Sequence, residues 1–153
     1  MNRYSVAVTF ALFFGFTAMA EADPCVEANS IARVRNRTNA PYEYLVFNFI
    51  KPPTVPSYSV ATATPPFIQD GSGLPVTVTG DRFKRVRFEG VVWTCSIEEI
   101  FVVPRQAIKD VKSTGQFEGI IEYVVGYGGA SRYLDTYTYD AGAVRKIVLR
   151  FQK

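Results

Sequence analysis

Histidine is absent from the 153 residues of the chain. Its absence excludes Ser-His-Asp and Cys-His catalytic sites, and also zinc or haem sites that need an imidazole ligand. Cysteine is scarce, and the two cysteines that occur cannot build a thiolate zinc site alone. We therefore predict that the protein has no metal and no other cofactor, and the sequence offers no residue to assign to catalysis.

Residues 1–22 are typical of a secretory signal peptide. Arg3 supplies a positive charge, an uncharged apolar stretch follows, and two overlapping Ala-x-Ala patterns end at Ala20 and Ala22. Cleavage can follow either alanine. An uncleaved membrane anchor is the alternative, although the apolar stretch is slightly short for a span of about 20 residues. We predict a protein that is exported to the periplasm or secreted, and that does not span the membrane after cleavage.

Residues 23–153 have the length of one domain, and we predict a single domain there. The formal net charge of the chain is only +3. A balance this weak does not predict the broad basic surface on which nucleic-acid binding depends. We therefore predict no nucleic-acid partner.

Cys25 and Cys95 form an isolated pair in a chain that carries an export signal. In an oxidising compartment such a pair is most simply a disulfide, and no catalytic or metal-binding motif surrounds either residue. We expect no free thiol when denatured, unreduced protein from the periplasm or the medium is titrated with a thiol reagent. Two thiols per chain would contradict the predicted bond.

Apolar and polar residues alternate with a period of two along most of the predicted domain. In the stretch YEYLVFNFI, from Tyr42 to Ile50, one face of a strand would carry Leu45, Phe47 and Phe49. Prolines and glycines separate about nine such stretches. We predict an all-β fold, an antiparallel β-sandwich of about eight or nine strands with little helix.

The glycine-rich stretch QDGSGLPVTVTG, residues 69–80, could be read as a ligand-binding loop or as a turn. A phosphate loop requires a lysine leading into a helix, and a calcium loop requires a glycine where Pro75 stands. Neither requirement is met. We predict a turn that leads into a strand, with the glycines supplying positive φ angles.

Several stretches occur in an order that resembles a known family. They are YEYLVFNF, PSYSVATA, DGSGLPVTVTGDRFKRVRF, IKDVKSTGQFEGIIEYVVGYG and YLDTYTYDAGAVRKIVLRF. This ordered set, which covers nearly the whole predicted domain, resembles the AMIN-like domain of bacterial exported proteins. That domain is similar to the AMIN domain, a peptidoglycan-binding β-sandwich. The resemblance implies an extracytoplasmic β-sandwich module, and it implies a cell-wall ligand by analogy alone, since fold does not fix function.

The candidate binding residues are Tyr127, Arg132 and Tyr133, which flank a glycine-containing turn. Loops on a rigid sandwich concentrate binding residues, and tyrosine with arginine is typical of binding hot spots. Tyr133, Tyr137 and Tyr139 also alternate along one predicted strand. Such tyrosines would form an exposed platform for sugar rings, or they would face the core and stack as cross-strand pairs.

Arginines alternate on two further predicted strands. Arg33, Arg35 and Arg37 share one face of the stretch IARVRNR, whereas Arg85 and Arg87 share one face of RFKRVRFE. The pair in the second strand would hold an anionic polymer through bidentate contacts, or it would belong to an ordinary solvated face.

We predict an exported, non-catalytic binding module whose partner is peptidoglycan or another cell-envelope component. The alternative is a secreted enzyme or enzyme inhibitor that acts in the envelope. Glu118 and Glu122 would lie roughly 13 Å apart if both were on one strand, which is too far for a glycosidase pair.

Overall fold

The computed structural model describes residues 27–50, 54–92 and 100–153. The predicted signal peptide and both cysteines of the predicted disulfide lie outside these ranges, so those two predictions stay predictions. Within the ranges the chain forms strands, turns and loops. The same ranges contain no helix of the length and apolar character needed to cross a membrane.

The described chain contains eleven strands. Their bounds are β1 (Ile31–Asn39), β2 (Tyr42–Ile50), β3 (Ser57–Ala63), β4 (Phe67–Ile68), β5 (Pro75–Val76), β6 (Arg82–Glu89), β7 (Ile100–Phe101), β8 (Ile108–Phe117), β9 (Ile120–Tyr127), β10 (Arg132–Ala141) and β11 (Val144–Gln152). β4, β5 and β7 have two residues each, whereas the other eight strands have seven to ten. The prediction of an all-β fold with about eight or nine strands is confirmed.

Two main sheets form the sandwich. The five-stranded sheet has the order β10-β11-β2-β1-β7, and the four-stranded sheet has the order β3-β6-β9-β8. β4 and β5 make a separate two-stranded sheet. Among the strands of the described ranges, all pairings are antiparallel except that of β1 with β7. β2 therefore lies near the middle of the five-stranded sheet, and β10 forms one of its edges.

The core lies between the two main sheets and is rich in aromatic rings. Leu45, Phe47 and Phe49 of β2 are fully buried, which confirms the face predicted from their alternation. The ring of Phe47 lies 4.9 Å from that of Phe88 on β6 and 5.0 Å from that of Tyr123 on β9. Contacts of this kind join the sheets, because Phe47 belongs to one and its partners belong to the other.

A buried carboxylate also joins the two sheets. Glu43 of β2 points inward, in phase with Leu45, and its Oε2 accepts hydrogen bonds from two backbone N–H groups at the start of β8. The donors are Ala107 N at 3.1 Å and Ile108 N at 2.8 Å. A buried charge is tolerated when such donors replace its water, so this contact fixes where β8 begins against β2.

The outer face of the four-stranded sheet is covered by the segment that follows β3. Phe67 and Val78 of this segment pack on Val124 of β9 in a second small hydrophobic cluster. The carbonyl oxygen of Thr79 occupies the space that a Cβ atom at position 126 would need, and Gly126 permits that close approach. This sheet is therefore covered on both faces over part of its area.

The glycine-rich stretch of this segment forms a turn between β4 and β5. Gln69 donates its N–H to Leu74 O at 2.8 Å and accepts from Gly73 N at 3.0 Å. Gly71 and Gly73 have φ angles of 81° and 68°, in the region that favours glycine. The prediction of a turn rather than a phosphate or calcium loop agrees with this geometry.

Candidate functional site

The outer face of the five-stranded sheet carries a groove lined by basic and aromatic side chains. In the strand order, β2 and β11 lie next to each other, with β1 beside β2 and β10 beside β11. Directly paired residues point to the same side of a sheet, so each row of pairs lies across the groove. The central row runs Arg35, Val46, Val148 and Tyr137. The flanking rows are Arg33, Asn48, Lys146, Tyr139 and Arg37, Tyr44, Arg150, Asp135.

We name this surface the tyrosine–arginine groove. One wall, the arginine wall, consists of Arg33, Arg35 and Arg37 on β1. The other wall, the tyrosine wall, consists of Tyr137 and Tyr139 on β10. Val46 and Val148 form the floor, and Lys146 on β11 lies between the walls. Three strand spacings separate the backbones of β1 and β10, which amounts to about 14 Å.

The arginine wall is made by Arg33, Arg35 and Arg37, which lie on one face of β1 as their alternation predicted. No carboxylate of the described residues forms an ion pair with Arg35 or Arg37. The Nε atom of Arg35 is buried without a hydrogen-bond partner in the same part of the chain. Burial lowers the pKa of the Arg35 guanidinium, and the neighbouring charges of Arg37 and Arg33 lower it further.

The tyrosine wall is made by Tyr137 and Tyr139, which are 40% and 43% exposed. Their rings are nearly parallel, with an interplanar angle of 21° and centroids 6.2 Å apart. Lys146 Nζ lies 5.3 Å from the centroid of the Tyr139 ring, within cation–π range. Partial burial raises the pKa of the Tyr137 hydroxyl, and the nearby Tyr44 adds to that effect. The wall therefore presents two partly exposed, amphipathic rings.

The floor of the groove is apolar. Val46 and Val148 point away from the core, yet they are only 5% and 2% exposed. Long side chains on both walls cover them, since arginine, lysine and tyrosine place apolar stems over a surface and keep their polar ends in water. The valines are therefore largely covered before a ligand binds, and a ligand in the groove would mainly contact the cationic and aromatic side chains above them.

Two depressions along this face share Lys146. One has a volume of about 300 Å³ and is lined by Ala32, Arg33, Arg35, Asn48, Ala141, Val144 and Lys146. The other has a volume of about 410 Å³ and is lined by Arg37, Thr38, Asn39, Tyr44, Val46, Tyr137, Tyr139, Lys146 and Val148. Because they meet at one residue, they form one elongated surface that follows the strands.

Among the described residues the acid on this face is Asp135, and it is already paired. Arg150 donates from Nε to Asp135 Oδ1 at 3.1 Å, and its guanidinium also lies 5.3 Å from the ring of Tyr42. The pairing with Asp135 raises the pKa of Arg150. Arg150 and Asp135 therefore offset each other, and the charges of Arg35, Arg37 and Lys146 are left to dominate the groove.

Two of the three predicted binding residues lie on the inner side of the sandwich. Tyr127 is buried in the core, with its ring 5.3 Å from that of Phe151. Tyr133 is half-buried, its ring lies 5.6 Å from that of Phe151, and its hydroxyl is 2.8 Å from Thr136 Oγ1. Lys84 Nζ lies 4.9 Å from the centroid of the Tyr133 ring. A ligand could reach part of Tyr133, whereas little of Tyr127 is accessible.

Arg132, the third predicted residue, lies on the same side as the groove. It is exposed, it pairs with Gln152, and it donates to Gln152 Oε1 at 3.0 Å. Gln152 in turn pairs with Tyr42, so Arg132 stands one row beyond Asp135. The structure therefore brings Arg132 to the end of the groove and separates it from Tyr127 and Tyr133. Binding by these three residues stays a prediction.

A β-bulge separates the tyrosines that alternate in the sequence of β10. The register shifts between Tyr133 and Asp135, so Tyr133 pairs with the buried Phe151 and faces inward. Tyr137 and Tyr139 follow the bulge and face the groove. The alternation predicted for these tyrosines thus holds after Asp135, and the extra residue places Tyr133 on the opposite side.

The other arginine pair has a local counter-charge. Arg85 and Arg87 lie on β6, in the four-stranded sheet, where Arg85 Nε is 3.2 Å and Arg87 Nη1 is 4.0 Å from the carboxylate of Glu122. Arg87 also pairs with Glu89 at 2.9 Å. An anionic ligand would have to compete with these carboxylates, whereas no carboxylate of the described residues pairs with Arg35 or Arg37.

Within residues 27–50, 54–92 and 100–153, no three histidine, cysteine or acidic residues cluster in a way that could hold a metal ion. The described groove offers cations, hydroxyl groups and aromatic rings. Such groups are suited to binding a ligand through charge, hydrogen bonds and stacking.

Comparison with known proteins gives one match. A family model described as the AMIN-like domain matches residues 29–148, which is most of the chain. No curated protein and no solved structure matches the chain.

Proposed function

The chain belongs to the AMIN-like domain family, and we propose that it is an exported, non-catalytic module that binds peptidoglycan through the tyrosine–arginine groove. The family suggests a cell-envelope binding module and an extracytoplasmic location. Peptidoglycan as the ligand, the groove as its contact surface and the lack of catalysis are our proposals. The turn with Tyr127, Arg132 and Tyr133 is the second candidate surface.

The observation that carries this proposal is the exposed tyrosine pair beside a basic wall. A tyrosine ring offers apolar area to the face of a sugar and a hydroxyl to its polar edge. Tyr137 and Tyr139 place two such partly exposed rings 6.2 Å apart at the side of the groove, where each could contact a sugar of a chain. The groove is open along the strands, which suits a polymer better than a small molecule enclosed in a pocket.

The rigidity of the sheet favours binding without rearrangement. β10 pairs with β11, β11 pairs with β2 and β2 pairs with β1, so the backbones of both walls belong to one hydrogen-bonded sheet. A preformed surface loses little conformational freedom when it binds, and affinity is higher for that reason. The sheet thus supports binding by fixing the backbone spacing of the two walls.

We expect Tyr139→Ala to weaken binding to insoluble peptidoglycan by about 1–2 kcal/mol, which is roughly 5- to 30-fold. The substitution removes one ring of the platform from an exposed edge position, so the fold should be retained. Co-sedimentation of the purified mature protein with peptidoglycan over a range of protein concentrations measures the change. Thermal melting followed by circular dichroism checks that the variant is folded.

Tyr133→Ala is the matched variant for the second candidate surface. If the groove carries the binding, it should affect co-sedimentation less than Tyr139→Ala does. A loss of about 1–2 kcal/mol confined to Tyr133→Ala would instead assign binding to the turn. Wild-type protein that fails to sediment with peptidoglycan at low salt would refute the proposed ligand and favour a secreted enzyme or inhibitor.

A further inference from the structure

We propose that the tyrosine–arginine groove is specific for an acidic glycan, with carboxylate groups held by the arginine wall while sugar rings stack on Tyr137 and Tyr139. This inference rests on the proposed function, because it names the ligand chemistry of the same surface. It adds a requirement for carboxylate groups on the sugars themselves, which binding of peptidoglycan by ring stacking does not need.

The charge balance of the groove is the first argument. Arg35 and Arg37 form no ion pair with a carboxylate of the described residues, and Lys146 contacts the ring of Tyr139 rather than an acid. Asp135 is occupied by Arg150. Cations concentrated on one surface without compensating acids repel one another, and a bound anion would relieve that repulsion.

The state of Arg35 is the second argument. It occupies the central row, its Nε is buried without a partner in the described part of the chain, and arginines precede and follow it on the same face. A partly buried guanidinium gains from a planar, bidentate acceptor, and a carboxylate has that shape. Arg35 is therefore the position at which one acidic group of the ligand should be bound most tightly.

The spacing of the walls is the third argument. Successive arginines on β1 are two residues apart, so their backbones are separated by about 7 Å along the strand. Arg35 lines one depression and Arg37 lines the other, which extends the cationic wall along the whole groove. An extended chain with repeated acidic groups can contact several of these cations at once, whereas a single small anion can contact only a few.

The opposite wall selects a glycan over other polyanions. Tyr137 and Tyr139 expose stacked rings that a chain of phosphates without sugars could not use. The combination of a cationic wall and an aromatic wall matches a chain with acidic groups along one edge and apolar ring faces along the other. An acidic polysaccharide has that pattern.

The test uses three soluble probes with the mature protein in isothermal titration calorimetry. Oligogalacturonate carries a carboxylate on each sugar, chitooligosaccharide is a neutral glycan, and polyphosphate is an anion without sugars. We expect oligogalacturonate to bind at least 10-fold more tightly than either of the others. Its affinity should fall as the salt concentration rises through about 0.15 M, where exposed charges become strongly screened.

Variants locate the interaction. Arg35→Gln should weaken oligogalacturonate binding about 10-fold or more, and Arg35→Lys, which keeps the charge but loses the bidentate geometry, should weaken it less. Arg37→Gln, at an exposed position, provides a second measurement if the first substitution impairs folding. Arg85→Gln on the other sheet is the control and should leave the affinity unchanged.

Equal affinity for the neutral and the acidic glycan, or unchanged binding in both Arg35→Gln and Arg37→Gln, would overturn the inference. Polyphosphate that binds as tightly as oligogalacturonate, without any effect of Tyr139→Ala, would also overturn it, since charge alone would then explain binding. Peptidoglycan binding that does not depend on Arg35 or Arg37 would leave the proposed function intact and refute only this inference. Arg35-dependent binding of oligogalacturonate without binding to peptidoglycan would support the preference of the groove for an acidic glycan and refute peptidoglycan as the ligand.

Discussion

Replacement of Phe47 by alanine is expected to lower the free energy of unfolding by about 3–5 kcal/mol, the cost typical of a large aromatic residue removed from a core. Phe47 is fully buried at the centre of the sandwich, and its ring contacts Phe88 and Tyr123 of the opposite sheet at 4.9 and 5.0 Å. The substitution removes contacts with both partners and leaves a cavity between the sheets. Equilibrium unfolding in urea measures the loss.

Phe117→Ala is a matched control, because Phe117 is 59% exposed at the end of β8. Removing that ring should cost less than about 1 kcal/mol, since most of it is already in contact with water. If the two substitutions destabilise the protein equally, the stability of the domain does not depend on the packing of one sheet against the other.

Replacement of Glu43 by alanine is expected to lower the free energy of unfolding by about 2–4 kcal/mol. The carboxylate accepts hydrogen bonds from Ala107 N and Ile108 N, and its removal would leave both buried donors without an acceptor. Each buried donor that loses its partner costs about 1–3 kcal/mol, and part of that cost is recovered where water enters the new cavity. Urea unfolding of the variant beside the wild type measures the effect.

Glu43→Gln removes the negative charge of the side chain but keeps its volume and an oxygen that accepts hydrogen bonds. Glutamine has nearly the same size and keeps a carbonyl oxygen that can accept from both donors, so its cost should be clearly smaller than that of alanine. If glutamine and alanine destabilise the protein equally, the negative charge itself holds β8 in place. If neither substitution has an effect, the link between β2 and β8 through Glu43 does not contribute to stability.

Period-two alternation was sufficient to predict which apolar side chains of β2 face the core. Leu45, Phe47 and Phe49 are buried on one face of β2, and the DGSG stretch forms a turn, because both depend on local residues. Glu43 also carried a detectable signal, since it is an acid in phase with those apolar residues. Its partners could not be predicted, because they lie more than sixty positions away in sequence.

The groove was only partly accessible to sequence analysis. Arg33, Arg35 and Arg37 were correctly placed on one face, and Tyr137 and Tyr139 on one strand, but nothing local shows that β1 and β10 lie on either side of β2 and β11. That order comes from long-range pairing, which periodicity does not encode. The bulge that turns Tyr133 inward was missed for the same reason, since one extra residue in a strand leaves no clear mark in its composition.

The most direct measurement of the binding surface is the response of backbone amide resonances of the ¹⁵N-labelled mature protein to soluble peptidoglycan fragments. We predict that the resonances that shift will map to Arg33–Arg37 on β1, Tyr44–Asn48 on β2 and Tyr137–Lys146 across β10 and β11, while β6 and β9 stay unchanged. Shifts confined to the turn between Tyr127 and Tyr133, or to the four-stranded sheet, would contradict the assignment of binding to the tyrosine–arginine groove. The absence of any shift at saturating fragment concentration would contradict peptidoglycan as the ligand.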